Sequence, residues 1–146
     1  MELQEIFSMQ SELNDYVFNK QGIKTEDGEP LTSNYLLEQG KKELVTPNSD
    51  TNKWLRKYLE ALNDESRELS DELPFKWWAK DNLNMQNIRV EIIDQLHFWV
   101  SEAITAGMGA EDVERIYKQK HTKNITRQDN EYSSANKTED DNLDII

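Results

Sequence analysis

The chain has no cysteine, only three prolines and five glycines, and no run of eighteen apolar residues. Without cysteine there is neither a disulfide framework nor a thiolate metal site, and a reducing cytosol is the expected compartment. The absence of a long apolar run excludes a membrane-spanning helix of the usual kind. The acidic start Met1-Glu2-Leu3-Gln4-Glu5 is unlike a signal peptide, so a soluble, cytoplasmic protein is expected. Positive charge is also short, because 17 Lys and Arg face 29 Asp and Glu, for a net charge of −12. That balance argues against general binding to a nucleic-acid backbone. It is compatible with an acidic surface that attracts a basic partner, or with a phosphate enzyme in which a bound cation reverses the local sign. Hydrophobic residues make up 36% of the 146. This is little for a large solitary core in one domain, and it makes self-association plausible.

The few helix breakers divide the chain. Leu3, Ile6, Phe7, Leu13, Val17 and Phe18 recur at helical spacing until Gly22. Residues 24–51 hold Gly28, Pro30, Gly40 and Pro47 among polar residues. They read as a long insertion with one short helix, Ser33–Gln39, closed by Gly40. A second long helix is expected from Asn52 to Leu73, where Pro74 stops it. A third runs from about Asn84 to Gly107 or Gly109, and a fourth from Ala110 to Asn124. No alternating pattern marks a strand. After Tyr132 the composition turns acidic and polar. The expectation is an all-α domain over residues 1–132, followed by a disordered tail over 133–146.

Four carboxylates stand out from this background: Glu65-x-x-Glu68, then 22 residues, then Glu91-x-x-Asp94. The i,i+3 spacing puts both members of a pair on one helix face, and two such helices packed antiparallel would bring all four together. With 29 acidic residues in the chain, such pairs also arise by chance. Glu111-x-x-Glu114 is one of these, and an acidic pair on a helix is ordinarily a solvated face. Two features set the first four apart. Glu65 and Glu68 lie where the apolar stripe of Trp54, Tyr58, Leu62 and Leu69 would otherwise continue, and Glu91 and Asp94 fall in a segment, Ile88 to Ile104, that is apolar almost all round. Charges in such places need a partner. Oxygen ligands suit a hard cation, of which Mg²⁺ is the usual one where phosphates are handled.

Other constellations are more open. Gln10 and Asn14 interrupt the stripe of the first helix at i,i+4, as amides that could read a base edge or simply bridge helices. Phe98 lies one turn beyond Asp94, with His97 beside it. These two, like Trp77, Trp78 and Trp99, are more often core or structural residues than ligand contacts. Lys120, Asn124 and Arg127 share a face at the end of the fourth helix. There they either answer the helix dipole or clamp a phosphate.

Taken in order, these blocks resemble the all-α nucleotide pyrophosphatase superfamily, and within it the dimeric all-helical dUTPases of phages and some bacteria. The blocks are Gln10-x-x-Leu13-Asn14, Glu65-Ser-Arg-Glu68, Pro74-Phe-Lys-Trp-Trp78, Asn87-Ile-Arg-Val-Glu91-Ile-Ile-Asp94-x-x-His97-Phe98, and Lys120-x-x-x-Asn124-x-x-Arg127-Gln128-x-x-x-Tyr132. The likeness spans about residues 10–132, with 24–51 weakly covered. It implies a helical bundle of the all-α pyrophosphatase type, homodimeric, that hydrolyses dUTP to dUMP and pyrophosphate with two or more Mg²⁺ per site. Glu65, Glu68, Glu91 and Asp94 would hold the metal, with a glutamate of the first pair activating water. Gln10, Asn14, Trp77, His97, Phe98 and Asn124 would form the uracil and deoxyribose pocket, and Lys120, Arg127 and Tyr132 would contact phosphates. Glu131 stands where the family commonly has glycine. A phage origin, and hence the host cytoplasm, is the expected setting. A related dCTP or general nucleotide pyrophosphatase is the alternative. So is a regulatory protein-binding role, with the 24–51 insertion as its surface.

Overall fold

A computed structural model describes residues 1–130 and 142–146 of the chain. Five helices appear among them: α1 (Leu3–Gln21), α2 (Ser33–Gly40), α3 (Asp50–Asp71), α4 (Met85–Thr105) and α5 (Ala110–Asp129). The described residues contain no strand, only an isolated antiparallel bridge between Lys24 and Pro30. The chain is all-α, as its periodicity implies. It divides into two compact units, Met1–Gly109 and Ala110–Ile146.

In the first unit the helix ends follow local chemistry. Gly22 adopts φ 63°, and Ile23 N–H reaches back to the Phe18 carbonyl at 2.9 Å, which closes α1 in a left-handed turn. Ser49 and Asn84 cap α3 and α4 by accepting from the N–H groups of Asn52 and Asn87, at 3.2 and 3.1 Å. Thr32 caps α2 in the same way, and Asp15 of α1 adds a second anchor by accepting from Ser33 N–H at 2.7 Å. The acidic side chain there also suits the helix dipole.

The role of Gly40 differs from the expected cap. It lies inside α2, and a Cβ added to it would come within 2.4 Å of the backbone nitrogen of Gly107. The end of α2 therefore meets the end of α4 backbone to backbone, and only two glycines allow that approach. The insertion is also more deeply built in than its composition indicates. Leu31 and Leu36 join Phe18 and Tyr58 in the core, with Ile23, Tyr35, Trp54 and Phe98 packed against them. The buried Asp50 accepts from Tyr35 Oη at 2.8 Å and from Glu26 N–H.

Helices α3 and α4 run antiparallel, as their cross-links show. Ser66 donates to Gln95 at 3.1 Å, and Asn87 donates to Glu72 at 2.6 Å. A step forward along one helix is a step back along the other, which sets Glu65 and Glu68 opposite Glu91 and Asp94. The nearly all-round apolar character of α4 is used unevenly. Val100, Ser101, Ala103, Ile104 and Thr105 are buried, whereas Val90, Ile92 and Ile93 are about half exposed.

In the second unit α5 extends to Asp129, past the expected end at Asn124. Residues 142–146 contact it: Lys120 Nζ donates to Asn142 Oδ1 at 3.1 Å, Arg115 Nε donates to the Ile146 carbonyl at 2.7 Å, and Lys123 pairs with Asp144. The remaining tail residues expected to be disordered, 133–141, lie outside the described residues.

Candidate active site

One ligand oxygen each from Glu65, Glu91 and Asp94 can be chosen so that all lie within 4.8 Å of one another. Glu68 stands at the solvent edge of the same group, and it acts on both neighbours. The Glu65 carboxyl is pushed up to about 7, first by loss of hydration and then by the charge and hydrogen bond of Glu68, with Asp94 and Glu91 adding to it. Glu91 is raised as well, by desolvation, then by the charges of Glu68 and Asp94. Among the described residues no cation answers this group. Glu65 Oε2 and Glu91 Oε2 are each buried without a hydrogen-bond partner. Two orphaned carboxylate oxygens among like charges are what a hard cation would satisfy, so the donor set fits a divalent metal. A metal there would also reverse the sign of the repulsion that raises Glu65.

The carboxylates open into a cavity of about 480 Å³ lined by Gln10, Asn14, Phe18, Trp54, Tyr58, Glu65, Asp94, His97 and Phe98, among others. Acidic groups therefore mark one end and amides, imidazole and rings the other. At the amide end the side chains bond one another in series. His97 Nδ1 meets Gln10 Oε1 at 2.6 Å, Gln10 Nε2 donates to Asn14 Oδ1 at 2.8 Å, and Asn14 Nδ2 donates to Ser101 Oγ at 3.0 Å.

The structure thus brings Gln10, Asn14, Glu65, Asp94, His97 and Phe98 to one cavity, with Glu68 and Glu91 at its acidic end. Trp77 is elsewhere. It is 88% exposed and meets Trp78 edge to face, in a stretch between α3 and α4 that has no helix to hold it inward. Trp54 lines the cavity instead, and its indole Nε1 is buried without a partner. In the sequence Trp54 is one member of an apolar stripe, and nothing there signals an unpaired donor. Ser101 is hidden for a different reason, since its partner Asn14 is 87 residues away in the chain. Asn124, expected in the base and sugar pocket, and Lys120 and Arg127, expected at the phosphates, sit on α5 in the second unit. Lys120 bonds Asn142, and the charge of Arg127 helps hold the Asp144 carboxyl below its ordinary value, after the larger effect of Lys123. Tyr132 lies outside the described residues.

Fold and site together define an all-helical protein whose α3–α4 pair carries a four-carboxylate centre at the mouth of a polar-ended cavity. The chain belongs to the dUTPase family, whose profile matches residues 2–110. It is similar to a dCTP pyrophosphatase of Enterobacteria phage T4, 33% identical over 77% of this chain and 58% of that protein. It is also similar to a dCTP pyrophosphatase of Enterobacteria phage LZ5, 32% identical over 54% of this chain and 60% of that protein. The chain therefore spans about three fifths of the length of these curated relatives. No solved structure matches it.

Proposed function

We propose that this protein is a Mg²⁺-dependent nucleotide pyrophosphohydrolase that converts dUTP and water to dUMP and pyrophosphate. The observation that carries this reading is the single cavity with an orphaned carboxylate centre at one end and a hydrogen-bonding wall at the other. Such a cavity can hold a charged tail and a base at once. Glu65, Glu68, Glu91 and Asp94 would hold the metal, which supplies charge neutralisation for the triphosphate and acidifies water at the site. A glutamate of the first pair, Glu65 or Glu68, would orient the attacking water and accept its proton. Phe98 walls the cavity where a sugar would lie between base and phosphates, and its ring leaves no polar partner for a ribose 2′-hydroxyl.

A second reading, dCTP as the preferred substrate, is favoured by the names of the two phage relatives. Uracil presents acceptor, donor, acceptor along its pairing edge and cytosine donor, acceptor, acceptor, so the position of the acceptor in the wall would decide between the two readings. The setting we propose is the cytoplasm of a phage-infected host. Among the described residues no helix is long and apolar enough to cross a membrane.

The active form we propose is a homodimer. A largely apolar groove of about 410 Å³ between α1 and α4 is lined by Met1, Ile6, Met9, Leu13, Ile93, Leu96 and Val100, with Gln10 and His97 shared with the cavity. A contiguous apolar face of this kind is usually covered by a partner.

Pyrophosphate release from dUTP, dCTP, dTTP and UTP, with and without Mg²⁺, tests the reading. Release from dUTP that stops in EDTA is expected. Equal turnover of UTP and dUTP would overturn the deoxyribose-selective pocket, and a clear preference for dCTP would establish the second reading.

A further inference from the structure

The hydrogen bonds at the amide end of the cavity have a direction, and one buried hydroxyl sets it. Ser101 is 1% exposed, and its Oγ–H donates to the His97 carbonyl at 2.9 Å. A carbonyl can only accept, so the single proton of this hydroxyl is committed along the helix. Toward Asn14, 3.0 Å away, Ser101 can then only accept, and Asn14 must turn its NH₂ to it. Asn14 Oδ1 is left facing Gln10, which must answer with its own NH₂ at 2.8 Å. Gln10 Oε1 is left facing His97 Nδ1 at 2.6 Å, and two acceptors cannot meet, so that nitrogen must hold the proton. Thr105, fully buried, donates to the Ser101 carbonyl at 2.7 Å and steadies this turn of α4. Gln10 itself is 7% exposed, so a flipped amide would face an unsatisfied neighbour rather than water.

We propose that Ser101 is a positioning residue that, through this relay, fixes the amide orientations of Asn14 and Gln10 and holds neutral His97 as its Nδ1–H tautomer. Ser101 is not among the residues that line the cavity, and it acts only through those that do. The wall it sets offers one acceptor, His97 Nε2, and the two remaining amide protons of Gln10 and Asn14. One acceptor and two donors match in number the one donor and two acceptors of a pyrimidine pairing edge, central donor in uracil and peripheral donor in cytosine, but not guanine, with two donors and one acceptor. This consequence for substrate rests on the reading of the cavity as a base pocket. The tautomer does not.

The test is a comparison of wild type with Ser101→Ala and Ser101→Thr. Long-range proton–nitrogen correlation in the ¹⁵N-labelled, metal-free protein above neutral pH reports which imidazole nitrogen carries the proton, with exposed His121 as the internal control. Wild type and Ser101→Thr are expected to show the Nδ1–H form at His97, and Ser101→Ala a mixture dominated by the ordinary Nε2–H form. In kinetics, Ser101→Ala should raise KM for dUTP and dCTP by about tenfold, leave kcat within about twofold, and recover with threonine. An Nε2–H tautomer in the wild type, or no change in Ser101→Ala, would overturn the relay. A tautomer shift with unchanged KM would support the relay and overturn the base-pocket reading.

Discussion

The two ends of the cavity are built on opposite principles. At the acidic end four carboxylates crowd together with two oxygens left without partners. At the amide end His97, Gln10, Asn14 and Ser101 satisfy one another in an unbroken series. One end is frustrated until something positive arrives, whereas the other is already oriented by its own hydrogen bonds. The difference separates affinity from recognition. On the function proposed above, charge neutralisation at the first end would grip any polyphosphate, and the prebuilt donors and acceptors of the second would tell one base from another.

The comparison breaks most completely at the acidic end. Asp94→Asn or Glu91→Gln is expected to reduce turnover by more than about a hundredfold, beyond the 10–100-fold typical of groups that merely support a metal ligand. The same changes should raise the melting temperature of the metal-free protein, because one of four like charges is gone. Retained activity in either variant, measured as pyrophosphate release, would refute the metal assignment.

Phe98 is a ring in the wall of the same cavity. Its replacement by alanine is expected to lower the preference for dUTP over UTP by about tenfold, the scale on which a pocket senses one small group. Mg²⁺ affinity should move little. A variant that loses metal affinity and keeps its sugar preference would reverse these assignments.

Trp54 sharpens the comparison in a subtler way, since it carries an unpaired donor in the part of the cavity that is otherwise satisfied. Trp54→Phe should weaken nucleotide binding by about 0.5–1.5 kcal/mol, the net value of one hydrogen bond. Isothermal titration with a non-hydrolysable dUTP analogue reads this directly, and unchanged affinity would leave the indole as core alone.

A further effect is on stability. Glu65 titrates near 7 in the folded chain and near 4.5 when unfolded, so between these values the folded state binds more protons. The metal-free protein should therefore gain stability as pH falls from 8 toward 5, and lose it as pH rises through 7. Added Mg²⁺ should remove or reverse that slope, because metal binding displaces the protons. Thermal melts at pH 5, 6, 7 and 8, with and without Mg²⁺, are sufficient to show it.

Much of the acidic end was legible in the sequence, because its logic is local. Two i,i+3 pairs fix two helix faces, and antiparallel packing brings them together. The all-α class was legible for the same reason. The amide end was readable only in part. Gln10, Asn14, His97 and Phe98 stand out through a family likeness, while Ser101 looks like any small residue on a buried helix. The depth of the insertion was not legible, since Leu31, Leu36 and Asp50 reach the interior from a stretch whose composition is that of a loop. Aromatic residues were the hardest to sort. Trp54 and Trp77 are chemically alike, and what separates them is a helix that turns one inward and its absence around the other.

The contact between Gly40 and Gly107 has a practical consequence. It fastens the chain at one point, and Asp50, held by Tyr35 and Glu26, fastens it again ten residues later. Everything between, residues 41–48, is exposed. A segment tied down at both ends and loose in the middle can be lengthened at little entropic cost, about 0.6 kcal/mol for each doubling. That makes it the natural port for grafting a fluorescent peptide or an affinity handle, since none of its residues lines the cavity or the apolar groove.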